Sequence, residues 1–452
     1  MDPEEEIPVS CTQCSPPAAG EKGPRPSPGR RAKNLFGLWI GKAELNGLER
    51  SSFRFHVGAA VLYGIFFSIQ GLGAYLMTTE QMGATEFQIT LYFSLSMATF
   101  IFSTVGSFYL TWRNHRSFMV LYSILGPLSL IGLMFNQNPY FFIGLIVWVN
   151  LNHAMFLPAQ NMVFRSNYRG EVRGVLYARA QMVRMVIAAS TALSVGYLLH
   201  RKPEMFTYVF AVSGIIGMIG LLLFSMMPRN TEMENRKSGR MPKAKGNPFA
   251  DFFQIMRRDR FFRKYETYFF MYGIAFMMTH PLVAPFVKHR LGANWVQAPW
   301  IFVVIQSGVM IIFVPLFGRL LDRTNAVPVA TLAFICLAFW PISLSVAMSI
   351  PFAYVAAFFF GLGMAGVDIA WMLGAQTFAT KDKIQSYHAV HVTLVGLRAI
   401  IAPFVGYGLM RIIGYHATFA FAGCLFLLAA MFMIGLNRQR AKSLKEQGNK
   451  EE

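Results

Sequence analysis

Charge is scarce in this chain. Asp, Glu, Lys and Arg make up 14% of the 452 residues against 54% hydrophobic, and the mean hydropathy is +0.42. A soluble globule of this length needs more polar surface, so a polytopic membrane protein is expected. Acids are rarer still: 22 Asp and Glu against 41 Lys and Arg leave a net charge of +19. Such an excess can signal nucleic acid, but here the basic residues fall in short runs between apolar stretches. That is the positive-inside pattern, and no nucleic-acid partner is expected. Cysteine is nearly absent, with four in the chain. Cys336 and Cys424 are isolated in apolar stretches and read as small buried residues, while Cys11 and Cys14 form one CxxC with no second ligand pair nearby. Neither a disulfide framework nor a metal site is expected. Residues 1–8, MDPEEEIP, lack an apolar core, which predicts no cleavable leader. No phosphate-binding glycine loop, nucleophile triad or metal cluster stands out, so the chain is expected to be no enzyme and to need no cofactor beyond an ion or proton gradient.

What is present is a series of about twelve apolar runs, each near or above the roughly 20 residues that cross a bilayer. They fall at 54–78, 87–111, 117–135, 140–164, 173–199 and 206–227, then at 263–287, 295–320, 327–348, 351–377, 386–411 and 414–437. This predicts a tail with a short interfacial helix (1–53, the helix over 34–50), a six-helix bundle (54–227), a basic linker (228–262), a second bundle (263–437) and a final tail (438–452). The linker holds Arg229, Arg236, Lys237, Arg240, Lys243, Lys245, Arg257, Arg258 and Arg260. Arg113, Arg116, Arg165, Arg169, Arg173, Arg323, Lys381 and Lys383 fall in loops on the same side as that linker, so both termini are expected to be cytoplasmic. Arg201, Lys202, Lys288 and Arg290 run against the bias.

The two sets of six spans repeat each other. Tyr63-Gly64-Ile65 answers Tyr272-Gly273-Ile274, and Met82-Gly83-Ala84-Thr85 answers Leu291-Gly292-Ala293-Asn294, at an offset of 209. Gly106 answers Gly318, Ala159-Gln160 answers Ala375-Gln376 and Arg184 answers Arg398, at offsets of 212, 216 and 214. So narrow a drift indicates two halves of the same topology, related by an axis normal to the membrane.

Gly318-Arg319-Leu320-Leu321-Asp322-Arg323, between spans 8 and 9, resembles the G-x-L-a-D-R signature of the major facilitator superfamily. With the repeat and the central linker, the resemblance covers residues 54–437. It departs from the family pattern at Leu110, which stands where the first half usually has the acid, and at Asn325, where a glycine often follows. The resemblance implies an all-α membrane protein of two pseudo-symmetric six-helix bundles that works by alternating access. It also implies that spans 1, 4, 7 and 10 line a central cavity, and it gives Gly318, Asp322 and Arg323 a conformational role or a simple loop-capping one.

The candidate site residues lie in the spans themselves. A guanidinium at mid-membrane costs about 2.5 kcal/mol or more and must face a cavity or a partner. Arg184 and Arg398 are such residues. They either hold an anionic solute by paired hydrogen bonds, or brace the bundle, with Arg398 on Asp368 and Arg184 on backbone carbonyls. On the faces of the two arginines stand Gln181 and Tyr177, and His391 seven residues before Arg398; His391 and His388 either relay protons or serve as packed hydrogen-bond donors. Asp368 is the candidate proton carrier, its first-half counterpart is Asn152, and Trp371 shares its helical side. His153, Gln160 and Gln376 complete a polar set that either binds solute or joins helices. Glu266 lies beside Arg263 and Lys264, which predicts a local ion pair.

Two classes of function are compatible with these residues. One is a secondary transporter, symporter or antiporter, moving a small organic anion, or else an efflux carrier of amphipathic compounds, suggested by Met271, Met277 and Met278. The other is a receptor or scaffold on the same fold that transports nothing. The partners expected are a small-molecule substrate and the lipid bilayer, with the protein a monomer in a plasma or bacterial inner membrane.

Overall fold

The computed structural model of the chain describes residues 45–103, 114–228, 230, 248–374, 377–379 and 383–451. Every described regular element is helical. This is what a chain must do in hydrocarbon, where each backbone polar group has to be satisfied within its own segment. Helix α1 runs Gly47–Gly71 and continues after Leu72 as Gly73–Met77. It is followed by α2, Glu86–Ala98, which tightens into a 3-10 turn at Thr99–Ile101, and by α3, His115–Leu125, which continues as 3-10 helix over Pro127–Met134. The first half closes with α4 (Pro139–Asn167), α5 (Gly170–Arg201) and α6 (Phe206–Ser225). A linker helix, Pro248–Arg258, precedes α7 (Arg260–Pro285), α8 (Ile305–Arg323), α9 (Ala326–Ser345) and α10 (Ile350–Leu373). The stretch Ile384–Glu451 is two helices, α11 (384–413) and α12 (415–451), meeting at Gly414 with φ 79° and ψ 172°. Ten described stretches are long and apolar enough to cross a membrane. One of them, Val390–Ser443, contains both α11 and α12, so eleven spans are present among the described residues, with the shorter α2 beside them.

The repeat is visible in the backbone. Gly83 and Gly292 take φ of 58° and 70°, the left-handed region that glycine enters without a Cβ clash. Each turn then folds back. The Ala84 N–H donates to the Met77 carbonyl (2.9 Å) and the Ala293 N–H to the Val287 carbonyl (3.0 Å). Thr85 caps α2 in exchange with Gln88, and Asn294 caps the next turn in exchange with Gln297. A serine, threonine or asparagine followed three residues later by Gln is a helix-start signature, and both halves use it.

Helix α1 begins seven residues before the expected span, absorbing the end of the interfacial helix. Asn46 and Glu49 form a capping box, and the Glu49 carboxylate also accepts from the Arg169 backbone N–H (3.1 Å), Nε (2.9 Å) and Nη2 (3.1 Å). A buried acid so fully bonded fixes the start of α1 against the α4–α5 connection. Asn34–Glu44, Cys11 and Cys14 lie outside the described residues. Cys336 is half-buried, whereas Cys424 is exposed on α12 and departs from the expected buried position.

The halves meet along α2 with α7 and α11, and along α5 with α8. Several of these contacts gather at the face holding the end of α1 and the start of α2. There the Tyr75 hydroxyl donates to the Ala293 carbonyl (2.6 Å) and its ring meets Trp295 edge-on at 5.0 Å. Tyr415 donates to the Glu86 carboxylate, and Gly196 packs on Pro299 and the Trp295 carbonyl.

Candidate solute-binding site

Two glycines decide where the two arginines go. A Cβ added at Gly64 would lie 2.8 Å from the Arg184 carbonyl oxygen, and one at Gly273 would lie 2.0 Å from the Arg398 guanidinium. In the first half α1 and α5 therefore touch backbone to backbone, and the Arg184 side chain lies one turn along α1 against Phe67. In the second half the glycine makes room for the guanidinium itself. Arg398 is 4% exposed, donates from Nη1 to the Phe269 carbonyl (2.7 Å), and lies 5.7 and 5.6 Å from the ring centroids of Phe269 and Tyr272. Its charge is met by π faces and a helix carbonyl. It makes no ion pair with Asp368 among the described residues.

Arg184 is only half-buried. Its guanidinium sits 4.7 Å from the Phe67 ring centroid, and its Nε has no hydrogen-bond partner. Tyr63, His153 and Tyr177 share its electrostatic neighbourhood within its own half, and Asp368 does so from the other half. Phe67 and Tyr177 are 47% and 44% exposed, and Asp368 is exposed as well, although it stands five residues inside the end of α10. The Tyr63 hydroxyl lies 3.4 Å from His153 Nδ1, and Gln181 Nε2 donates to the Tyr177 hydroxyl at 3.1 Å. Arg184, Tyr177, Gln181 and His153 thus gather with Tyr63 and Phe67 in the first half, and Asp368 lies within electrostatic reach of Arg184 and Tyr177 from the second.

The other candidates are dispersed. Asn152 is 3% exposed, and its Nδ2 donates to the Trp148 carbonyl one turn back (2.8 Å). It serves the α3–α4 contact at Gly126, where a Cβ would come within 2.9 Å of the Asn152 Cβ. The repeat counterparts Asn152 and Asp368 therefore face different surroundings. Gln160 is half-buried in α4, and Gln376 lies outside the described residues. Gly318 is half-buried, while Asp322 and Arg323 are exposed at the end of α8; the next helix is capped by Asn325, which accepts from the Val327 N–H at 2.9 Å. Trp371 meets His388 and His391 edge-on, at 5.9 and 6.0 Å. His391 is buried against Glu266. The acid expected to pair with Arg263 or Lys264 instead faces α11, because its helical position turns it inward with Phe262 and Phe269.

Sequence reasoning passed over Tyr63, Phe67 and the Glu266–His391 contact. A signal for the last was present. Glu266 precedes Gly273 by seven residues, as His391 precedes Arg398, so two parallel helices in register join at both levels. In the first half the equivalent positions hold Val57 and Tyr177, and no acid–imidazole pair can form there.

Eleven described spans and the shorter α2, in two pseudo-symmetric bundles with charged side chains set within them, define a membrane transporter. The model of the Major Facilitator Superfamily matches residues 55–403, and the chain belongs to that family. No curated protein matches the sequence. Among solved structures, the nucleoside transporter NupG superposes with a TM-score of 0.64 at 12% identity, over 86% of this chain and 99% of its own. A POT family transporter in complex with 5-aminolevulinic acid gives 0.64 at 14% identity, over 85% and 96%. The human organic anion transporter MFSD10 (TETRAN) gives 0.59 at 13%, over 86% and 100%. At these identities the likeness is one of fold.

Proposed function

We propose that this transporter moves a small organic anion by alternating access, with Arg184 as the anchor for the anion and a proton as the coupling ion. The observation that carries the reading is the Arg184 guanidinium, half-buried at mid-helix and set 4.7 Å from the ring of the exposed Phe67, whereas Arg398 is 4% exposed and bonded to the Phe269 carbonyl. A carboxylate or phosphate there can accept two parallel N–H bonds, the strong and directional arrangement that guanidinium favours. Phe67, Tyr63 and Tyr177 supply apolar and hydroxyl surface for the rest of the solute. Asp368 lies within electrostatic reach of Arg184 from the other half. An incoming anion competes with it for Arg184, and Asp368 then takes up a proton instead of facing a second negative charge. Solute and proton thus move in step.

The MFSD10 likeness is compatible with this solute class, while the nucleoside and POT likenesses show that the same fold serves other solutes. The methionines that would line an amphipathic efflux site lend it no support: Met277 and Met278 are 7% and 0% exposed. The protein is proposed to act as a monomer, with both termini cytoplasmic, in a plasma or bacterial inner membrane.

Uptake into proteoliposomes tests the reading. Organic anions are expected to enter faster when the outside is acidic, and Arg184→Gln is expected to weaken anion binding roughly 10-fold or more, as loss of a charged hydrogen bond implies, while leaving a neutral solute unaffected. Uptake indifferent to the proton gradient removes the coupling, and normal anion binding by Arg184→Gln removes the anchor.

A further inference from the structure

The contact between α7 and α11 holds a second titratable group that the solute region does not use. His391 Nδ1 lies 3.0 Å from both carboxylate oxygens of Glu266, and each side chain is 2% exposed. Beside an ionised carboxylate, Nδ1 carries the hydrogen and donates it, which leaves Nε2 with a lone pair. That Nε2 is buried and has no hydrogen-bond donor facing it. Buried polar atoms normally find a partner, and an orphan at such a depth needs a reason. A lone pair there can accept a proton, and because the Nε2–H so formed also has no acceptor in the structure, the charge is stabilised through Nδ1 by the Glu266 carboxylate. Taking the proton turns the imidazole into an imidazolium against the Glu266 carboxylate, so a hydrogen-bonded pair becomes an ion pair without any heavy atom moving.

The groups packed around the pair leave this step open. On α7, Tyr265 and Tyr272 stand nearby, Tyr265 within electrostatic reach of Glu266. On α11, His388 lies 6.4 Å away ring to ring, and Arg398 is within reach of Glu266 but is bonded to the Phe269 carbonyl and framed by two rings. On α10, Trp371 lies 6.0 Å from His391, and Asp368 is one turn behind it on the same side. The face of α9 brought here is Phe334, without charge. Arg398 bonds through Nη1 to the Phe269 carbonyl and makes no ion pair with Glu266 among the described residues, so the carboxylate remains available to stabilise a protonated His391.

We propose that the Glu266–His391 pair is a proton-binding site of this transporter, distinct from the Arg184–Asp368 region, and that the proton it takes up sets the charge of the α7–α11 contact. Proton binding does not depend on the solute proposed above; its role in transport does. The site lies one heptad, about 10.5 Å, before the Arg398–Gly273 contact on the same two helices. A change of charge there acts on the seam that ties α11 to α7 and, through α11, on its contact with α2 of the other half.

Trp371 provides a local readout, because an imidazolium quenches a neighbouring indole far more than a neutral imidazole does. Fluorescence of the purified protein in detergent is titrated with pH, and the Trp371→Phe protein is subtracted to isolate that residue. The expected result is one quenching step as pH falls. It should be lost in His391→Gln, kept in His388→Asn, and moved to lower pH in Glu266→Gln, which removes the charge that favours the imidazolium. A Trp371 signal flat with pH in the wild type, a step that survives His391→Gln, or one that follows His388 overturns the site. In proteoliposomes His391→Gln should reduce stimulation by a proton gradient several-fold. Equal stimulation overturns the role in transport and leaves the fluorescence result standing, so failure of the solute reading and failure of the proton site are told apart.

Discussion

Arg184 and Arg398 hold equivalent places in the repeat and perform different work. The difference lies in what each guanidinium touches: Arg398 fills the space over Gly273 and bonds to the Phe269 carbonyl, while Arg184, only half-buried, leans on the exposed Phe67 ring. Arg398→Gln should therefore lower the melting temperature, by a loss on the order of 2 kcal/mol for a buried charged hydrogen bond, without changing solute affinity. Arg184→Gln should do the opposite. Gly273→Ala should resemble Arg398→Gln in a thermal unfolding assay, because a Cβ and the guanidinium cannot share that space; an unperturbed melting curve would contradict the assignment. The positions of these arginines were legible in the sequence, since the repeat equates them and hydropathy puts both at mid-span. Their directions were not. A guanidinium on a long side chain goes where the facing helix leaves room, and that is settled by the Gly64 and Gly273 contacts. Asp368 shows the same limit: sequence allowed it to clasp Arg398, and the structure turns it toward the region of Arg184.

At the level of elements, the turns carry the clearest sequence signal. Met82-Gly83-Ala84-Thr85 and Leu291-Gly292-Ala293-Asn294 fold alike because a left-handed glycine and a capping residue two positions later leave few alternatives. Alanine at Gly83 or Gly292 should each cost roughly 1–2 kcal/mol, the penalty of a Cβ in that conformation. Gly414→Ala should cost 1–3 kcal/mol, roughly, because φ 79° with ψ 172° is open to glycine almost alone. Thermal denaturation of the three variants checks this, and a variant as stable as the wild type would place its turn elsewhere. The start of α1 was illegible for a contrasting reason. It depends on Glu49 meeting Arg169 at a separation of 120 residues, and no local pattern encodes a partner so far away.

For the molecule as a whole, the contacts of Tyr75 with Ala293 and of Tyr415 with Glu86 join the halves at the face where α1 ends. Tyr75→Phe keeps the ring on Trp295 and deletes one hydrogen bond, worth about 0.5–1.5 kcal/mol, or a several-fold shift toward conformations open at that face. Spin labels at the exposed positions Glu80 and Val296 should report longer distances in this variant; an unchanged distance distribution would remove the Tyr75 contact from the closure. Topology and the two-bundle plan were readable from hydropathy and repeat, whereas the face held shut was not, since it depends on contacts between halves. The spacing of the α7–α11 seam carries a further consequence. Two fastenings seven residues apart on parallel helices resist both sliding and rotation, as two rivets hold a plate where one would let it swing. The second half has the stiffness of a beam along that seam. In the first half α1 and α5 share a backbone crossing at Gly64, and seven residues earlier Val57 and Tyr177 form no acid–imidazole pair, so the second of the two fastenings is missing there.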